Sequence, residues 1–211
     1  MASRRGHKWF AAIYDRLMVR AEATFLRRVR TEVAGGARDR VLEIGCGTGA
    51  NFPYYPPEAE VVAAEPDPYM LARARRRARE LGGGPTLVQA VAERLPFPDG
   101  SFDVVVATLV FCSVDDPARA LAEARRVLRP GGELRFYEHV RYPGGPLARL
   151  QDAVTPLWRW FGAGCHPNRD VTRLLAEAGL EVVRLERTMP LPPFPPMCLA
   201  RPHVLGVARV R

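Results

Sequence analysis

Lysine is all but missing from this chain: Lys8 is the only one among 31 basic residues. The formal net charge of +8 therefore rests on arginine. The arginines are spread along candidate helix faces (Arg73, Arg75, Arg76, Arg77 and Arg79; Arg119, Arg125 and Arg126) and gather into no basic arm. They read as solvated surface, which argues against a nucleic-acid partner. An acidic membrane surface stays open as a contact. Cysteine is scarce and scattered: Cys46, Cys112, Cys165 and Cys198 form no CxxC pair. That spacing argues against a zinc site, outlines no disulfide framework and fits a reducing compartment. No apolar run approaches the roughly 18 residues of a membrane span, and no secretory signal precedes the first helix. A soluble, cytoplasmic protein is expected. Internal repeats are absent, and 211 residues make one sizeable core rather than two domains.

What is present is an alternation of short apolar runs and amphipathic helices. Residues 8–34 carry Phe10, Ile13, Tyr14, Leu17, Met18, Ala21 and Phe25 at helical spacing, stopped by Gly35-Gly36. Strands are expected at Arg40–Ile44, Glu60–Ala64, Thr86–Ala90, Phe102–Ala107 and Glu133–Val140. Asp67-Pro68 and Asp116-Pro117 are helix starts, a capping carboxylate followed by a proline that needs no N–H. The first of these helices is expected to bury Leu71, Ala74, Ala78 and Leu81, the second Ala118, Leu121, Ala124 and Leu128 before halting at Pro130-Gly131-Gly132. Residues 143–168, with Trp158, Trp160, Phe161, Cys165 and His166, read as an insertion over the sheet's active edge. A helix (Arg169–Ala178) and a strand (Leu180–Glu186) follow, then a proline-rich loop (Pro190–Pro196) and a last strand (His203–Val210). The last two strands lack an intervening helix and must pair antiparallel. The fold class is α/β: a Rossmann-like, doubly wound, seven-stranded sheet, mostly parallel with an antiparallel last strand, and helices on both faces. The whole of 1–211 makes one domain, with 1–36 as a helical lid.

The strongest chemical signal is Glu43-Ile44-Gly45-Cys46-Gly47-Thr48-Gly49 directly after a strand. Glycines there let the backbone turn sharply and approach a ligand. Gly45, Gly47 and Ala50 also satisfy the dinucleotide fingerprint, so the loop alone does not choose its ligand. Glu65, twenty residues after Gly45 at the end of the second strand, is where a carboxylate accepts the ribose hydroxyls of an adenosine cofactor. Both features suit a nucleoside cofactor; neither separates a nicotinamide dinucleotide from S-adenosylmethionine (SAM).

The later segments separate them. Residues 92–105 (AERLPFPDGSFDVV) and 126–132 (RVLRPGG) closely resemble the corresponding motifs of class I SAM-dependent methyltransferases. The likeness spans residues 40–140. It implies SAM as cofactor, with Glu43 facing its ammonium and contacts along Gly45, Cys46, Gly47, Thr48, Gly49 and Asn51. It also implies Glu65 and Pro66 at the ribose, Ala92 and Glu93 beside the adenine, and Thr108, Leu109 and Val110 flanking the methionine part. Residues 47–57 (GTGANFPYYPP), 108–114 (TLVFCSV), 138–140 (EHV), Gly164-Cys165 and 201–203 (RPH) look like the alkyl-thiol methyltransferases of the methyltransferase-like group. The pattern is also similar to bacterial phospholipid N-methyltransferases and quinone-pathway C-methyltransferases, which act at a membrane surface. The animal thiol enzymes carry a hydrophobic N-terminal anchor, where this chain has a short basic amphipathic segment. The Asn/Asp-Pro-Pro-Tyr signature of amino-methylating nucleic-acid enzymes is replaced by Thr108-Leu109-Val110-Phe111, and no carboxylate and histidine cluster suggests a metal.

The expected function is methyl transfer from SAM to a small molecule, a thiol favoured, with no metal. A nicotinamide dehydrogenase or a non-catalytic SAM-binding module are the readings from other classes. Displacement at a sulfonium carbon has a good leaving group, so positioning supplies most of the rate. A thiol acceptor, with a free pKa of about 8.5, needs only a modest nudge from a base. His139 at the end of the fifth strand is the first candidate and His166 the second. Cys46 and Cys112 read as small packing residues. Tyr14 on the first helix is placed over the methionine end of SAM, and Trp158, Trp160, Phe161 and Phe194 form an apolar roof. Contact with a membrane surface through the first helix is the alternative use of its apolar stripe.

Overall fold

The computed structural model describes residues 19, 21–162, 164–191 and 197–210. Phe10, Ile13, Tyr14 and Leu17 of the expected lid lie outside them, as do Phe194 and the side chain of Phe161.

Seven strands form one sheet: β1 (Arg40–Ile44), β2 (Glu60–Ala64), β3 (Thr86–Val88), β4 (Phe102–Thr108), β5 (Leu128–His139), β6 (Leu180–Thr188) and β7 (His203–Val210), in the order β3-β2-β1-β4-β5-β7-β6. Strands β1 to β5 are parallel, whereas β7 runs antiparallel to both β5 and β6. The central strands carry apolar residues on consecutive positions, Val41-Leu42 in β1 and Val104 to Ala107 in β4, all buried. A strand covered on both faces requires that composition.

The helices are α1 (Arg27–Val33), preceded by a π-turn over Glu22–Leu26, then α2 (Pro68–Glu80), α3 (Pro117–Val127), α4 (Gly145–Phe161) and α5 (Val171–Glu177). Asp67 caps α2, accepting from the N–H of Tyr69 at 2.8 Å and of Met70 at 3.3 Å; Asp116 caps α3 through Arg119 N–H at 3.0 Å. The buried residues of α2 are Met70, Leu71 and Ala74, while Leu81 is exposed just past its end. In α3 they are Ala120, Leu121, Ala124 and Val127; Ala118 is exposed and Leu128 already belongs to β5. The expected faces hold at Leu71, Ala74, Leu121, Ala124 and Leu128, and fail at Leu81 and Ala118. Strand β5 starts before the Pro130-Gly131-Gly132 turn instead of after it. Its pairing with β4 is irregular between Phe102 and Val104, and Gly131 takes a φ of +75° within that bulge. Strand β3 ends at Val88, two residues short of the expected Ala90.

Sheet order reverses between β1 and β4. Ligands of open α/β sheets bind beyond the carboxyl ends of the strands at such a switch point. The glycine loop leaves β1 there, the 109–114 loop leaves β4 beside it, and β5 ends in Glu138-His139. Among the described residues no helix is long and apolar enough to cross a membrane.

Strand β7 is inserted between β5 and β6, and Gly206 is the tight point. A Cβ there would stand 2.6 Å from the Arg184 carbonyl oxygen and 2.7 Å from Phe136 Cζ. Gly206→Ala is expected to cost about 1–3 kcal/mol through overpacking, lowering Tm by roughly 2–4 °C per kcal/mol at this size. Thermal unfolding by circular dichroism measures it; an unchanged Tm would show that the three strands separate freely at this point.

Candidate active site

Three positive-φ glycines shape the loop after β1: Gly45 (φ +64°), Gly47 (φ +57°) and Gly49 (φ +80°). Gly45 is needed because Val110, from the next loop, fills its side-chain space; a Cβ would meet Val110 Cγ2 at 2.8 Å. Gly47 has nothing within 4 Å of a would-be Cβ, so this stretch of backbone stands uncovered where a ligand can approach it. The buried carboxylate of Glu65 accepts from Gly47 N–H at 2.9 Å and, through its other oxygen, from Asp67 N–H at 2.9 Å. It fixes the glycine loop against the end of β2.

Glu43 lies beneath the loop. Its oxygens accept from Asn51 Nδ2 at 2.9 Å and Tyr55 Oη at 3.0 Å. Asn51 also donates to Thr108 Oγ1 at 3.1 Å and accepts from buried Arg30 at 2.7 Å. Arg30 in turn holds Glu22, with nitrogen–oxygen distances down to 2.5 Å. One chain of polar groups thus runs from the first helix through the glycine loop to the end of β4. Burial raises the Glu43 carboxyl to about 7, opposed by Tyr55, Asn51 and the Arg30 charge. Burial also raises the Cys46 thiol, which packs against Phe52, Ala63 and Ala74 as a small core residue.

At the end of β5 the fully buried Glu138 carboxylate takes three successive backbone N–H groups: Val110 at 2.7 Å, Phe111 at 2.9 Å and Cys112 at 3.0 Å. Burial still holds the carboxyl above its ordinary value, against the pull of these donors. The loop so clamped delivers Cys112 to His139: Cys112 Sγ lies 3.6 Å from His139 Nδ1, and Cys165 Sγ, from the turn after α4, lies 3.5 Å from the same nitrogen. The three ligand-type atoms fall within 4.8 Å of one another. The Cys112 thiol is pushed up by its contact with Cys165 and by burial, while Cys165 is pulled down by Cys112 and His139. His203 closes the group, its ring 4.3 Å from that of His139 and stacked 4.9 Å from Tyr137.

The other expected site residues have the following surroundings. Ala92 is in the apolar core, and Glu93 accepts from Asp115 and Asp116 N–H at 3.0 and 3.3 Å, before α3. Pro66 offers its carbonyl to Gln89 at 3.1 Å. Leu109 has a φ of +59° and donates to Tyr137 O at 2.7 Å. Thr48 is buried in the loop. His166 donates its backbone N–H to Cys112 O at 2.6 Å, and its Nδ1 is buried with no hydrogen-bond partner. Trp160 is 78% exposed. The scattered cysteines, taken as evidence against a metal-ligating group, are corrected on one point: folding brings Cys112 and Cys165 together around His139. Sequence reasoning gave no role to Glu138, Tyr55 or Arg30. The signal for Glu138 was an acidic residue closing an apolar strand directly before a candidate base.

A glycine loop at the switch point, a carboxylate at the end of β2 and an acidic residue at the end of β1 define a class I SAM-dependent methyltransferase. The residues suit the cofactor, since Gly47 leaves its backbone open and Glu43 and Glu65 are buried carboxylates on either side. A methyltransferase-domain family model matches residues 42–136. The thiol S-methyltransferase TMT1B of Homo sapiens is 39% identical over 190 residues, covering 86% of this chain and 77% of that protein. The phosphatidylethanolamine N-methyltransferase of Cereibacter sphaeroides is 37% identical over 185 residues, covering 86% of this chain and 88% of the other. A SAM-dependent methyltransferase of Thermotoga maritima superimposes with a TM-score of 0.70 at 24% identity, covering 97% of this chain and 98% of its own. The chain belongs to the class I SAM-dependent methyltransferases.

Glu138→Gln replaces one acceptor oxygen by an NH2 facing backbone N–H groups. It is expected to cost about 1–3 kcal/mol, the cost of leaving buried donors unsatisfied, read as a shift in the urea midpoint at constant m-value. A variant as stable as the parent would show that the 110–112 loop holds its shape without the carboxylate.

Proposed function

We propose that this methyltransferase acts on small apolar thiols. The supporting observation is the 39% identity with a thiol S-methyltransferase in an alignment of 190 residues, which reaches well beyond the cofactor-binding segment 42–136. SAM, when bound, supplies a methyl group on a sulfonium centre. The protein's part is to bind, orient and keep water out. Glu65 takes the ribose hydroxyls and Gly47 presents bare backbone to the cofactor. Glu43, steadied by Asn51 and Tyr55, faces the ammonium end, and Leu109 and Val110 flank the methionine chain. His139, half-buried at the end of β5, orients the acceptor. Cys112 and Cys165 place the acceptor's sulfur among sulfur and imidazole instead of carboxylates.

One observation favours a second reading. Leu147, Leu150, Leu157 and Trp160 of α4 are all exposed, an apolar stripe suited to a lipid surface and to a phospholipid acceptor. Release of S-adenosylhomocysteine from a panel of small thiols, amines, phenols and phosphatidylethanolamine vesicles decides between them. Turnover with apolar thiols is expected; turnover with vesicles and with no thiol would replace the reading by the second one.

The Glu43 carboxyl, raised to about 7, gives cofactor binding a pH dependence. Only the ionised form attracts an ammonium, so below about 7 each cofactor bound must release a proton. Affinity then falls as pH drops, approaching tenfold per unit. Calorimetry with S-adenosylhomocysteine between about pH 5.5 and 7.5 is expected to show this slope, and Glu43→Gln to bind weakly with no slope. A flat profile for the parent protein would remove Glu43 from the amino-acid end.

A further inference from the structure

We propose that Cys112, His139 and Cys165 form a three-ligand zinc site whose fourth position takes the sulfur of the acceptor thiol; this rests on the thiol reading above. The distances carry the argument. Tetrahedral zinc, with Zn–S about 2.3 Å and Zn–N about 2.0–2.1 Å, sets a neighbouring sulfur and nitrogen about 3.6 Å apart. Here the two Sγ–Nδ1 distances are 3.6 and 3.5 Å. The donor set is two thiols and an imidazole with no carboxylate in the group, which selects a soft or borderline ion and disfavours magnesium or calcium. Three ligands with an open position is the arrangement of catalytic zinc, where structural sites use four.

The ligands come from three separate segments, and both cysteines are held from outside the cluster. Cys112 N–H is fixed by Glu138 at 3.0 Å and its carbonyl by His166 N–H at 2.6 Å; Cys165 N–H bonds to Gly162 O at 3.0 Å. Such outside support orients metal ligands. Two thiolates balance the charge of a divalent ion, so the loaded group is neutral inside a buried pocket. His139 is only half-buried while both sulfurs are covered, so the cluster opens to solvent on the imidazole side.

An acceptor R–SH would bind through sulfur, its S–H bond breaking and the proton passing to solvent. A zinc-bound thiol is ionised well below its free pKa of about 8.5. The sulfur's electron pair forms the new carbon–sulfur bond to the methyl group as the sulfonium carbon–sulfur bond breaks. That pair stays on the departing S-adenosylhomocysteine. The product R–S–CH3 is a neutral, weak donor and leaves the ion, whose oxidation state never changes. One proton is released per turnover.

The test is titration of the reduced, full-length protein with cobalt(II), followed by absorption, with zinc content of the purified protein by plasma mass spectrometry. One equivalent is expected, with thiolate-to-cobalt charge-transfer bands and the strong visible absorption of a four-coordinate ion; both shift when a small apolar thiol is added without SAM. Cys112→Ser and Cys165→Ser should bind cobalt at least about tenfold more weakly, while Cys198→Ser binds as the parent does. Calorimetry with S-adenosylhomocysteine confirms that each variant is folded. Absence of charge-transfer bands in the reduced parent, or a Cys112–Cys165 disulfide with no bound metal in the protein as purified, would overturn the site. Bands indifferent to thiol would overturn the role of the fourth position. Thiol methylation at full rate by metal-free protein defeats the zinc inference and leaves the thiol reading standing. A metal-loaded protein that methylates no thiol defeats that reading, and the acceptor's place on the ion with it.

Discussion

The carboxylate of Glu138 is the constraint around which the catalytic end of this molecule is arranged. It is fully buried, and three consecutive N–H groups of residues 110–112 surround it. Successive N–H groups converging on an anion form a nest, and loss of the anion would leave three buried donors without partners. The rest follows from where the nest must sit. To turn back onto β5 the chain puts Leu109 at a φ of +59°. Val110 then projects into the space a side chain at position 45 would need, so β1 must end in glycine. Cys112, last of the three donors, is carried to His139, the neighbour of the carboxylate that holds it.

Other charge pairs divide by burial. Arg173–Glu177 and Arg76–Glu80 are exposed pairs one helical turn apart, and solvent screening leaves such pairs with little effect on stability. Arg30 is different: buried, and bonded to both Glu22 and Asn51. Removing Glu22 would strand the buried Arg30 charge, which costs several kcal/mol where an exposed pair costs almost nothing. Arg126 does comparable work at the surface of the sheet. It takes the carbonyls of Leu95 and Phe97 at 3.1 and 2.8 Å and the Asp99 carboxylate at 2.7 Å. Two sequence motifs far apart in the chain, residues 92–105 and 126–132, therefore meet as one brace between α3 and the loop before β4.

The fold was legible because its signals are local. Apolar runs of the right length mark the strands, Asp-Pro caps mark the starts of α2 and α3, and the missing helix before β7 forces its antiparallel pairing. Element edges were less legible: β5 begins at Leu128 because a bulge lets the strand continue through a Pro-Gly-Gly run that by itself reads as a turn. The glycine loop and Glu65 were legible for the same reason as the strands. The sulfur–imidazole cluster was not. Cys112, His139 and Cys165 are separated by 27 and 26 residues, and cysteine spacing informs only when both ligands sit on one local motif. Their meeting depends on the Glu138 nest and on the turn that follows α4. Trp160 failed for a related reason: composition marked it as apolar cover, while helix phase turned it outward.

The choice among histidines can be argued from surroundings. His203 is buried against Tyr137 and His139, with its Nδ1 2.9 Å from the Arg201 carbonyl. An N–H must point at that oxygen, so the ring is a fixed tautomer. Burial, with His139 beside it, pushes its pKa to about 2. It stays neutral through the physiological range and cannot serve as a base there; its ring instead packs against the face of His139 and limits how that imidazole can turn. His166 is likewise held below its ordinary value by burial and by Arg169 and Arg159, and its backbone is committed to Cys112. What remains at the carboxyl end of β5 is an imidazole whose Nδ1 faces two sulfurs. That environment suits a sulfur nucleophile, which needs little basicity from the protein and gains most from being held in line with the methyl group.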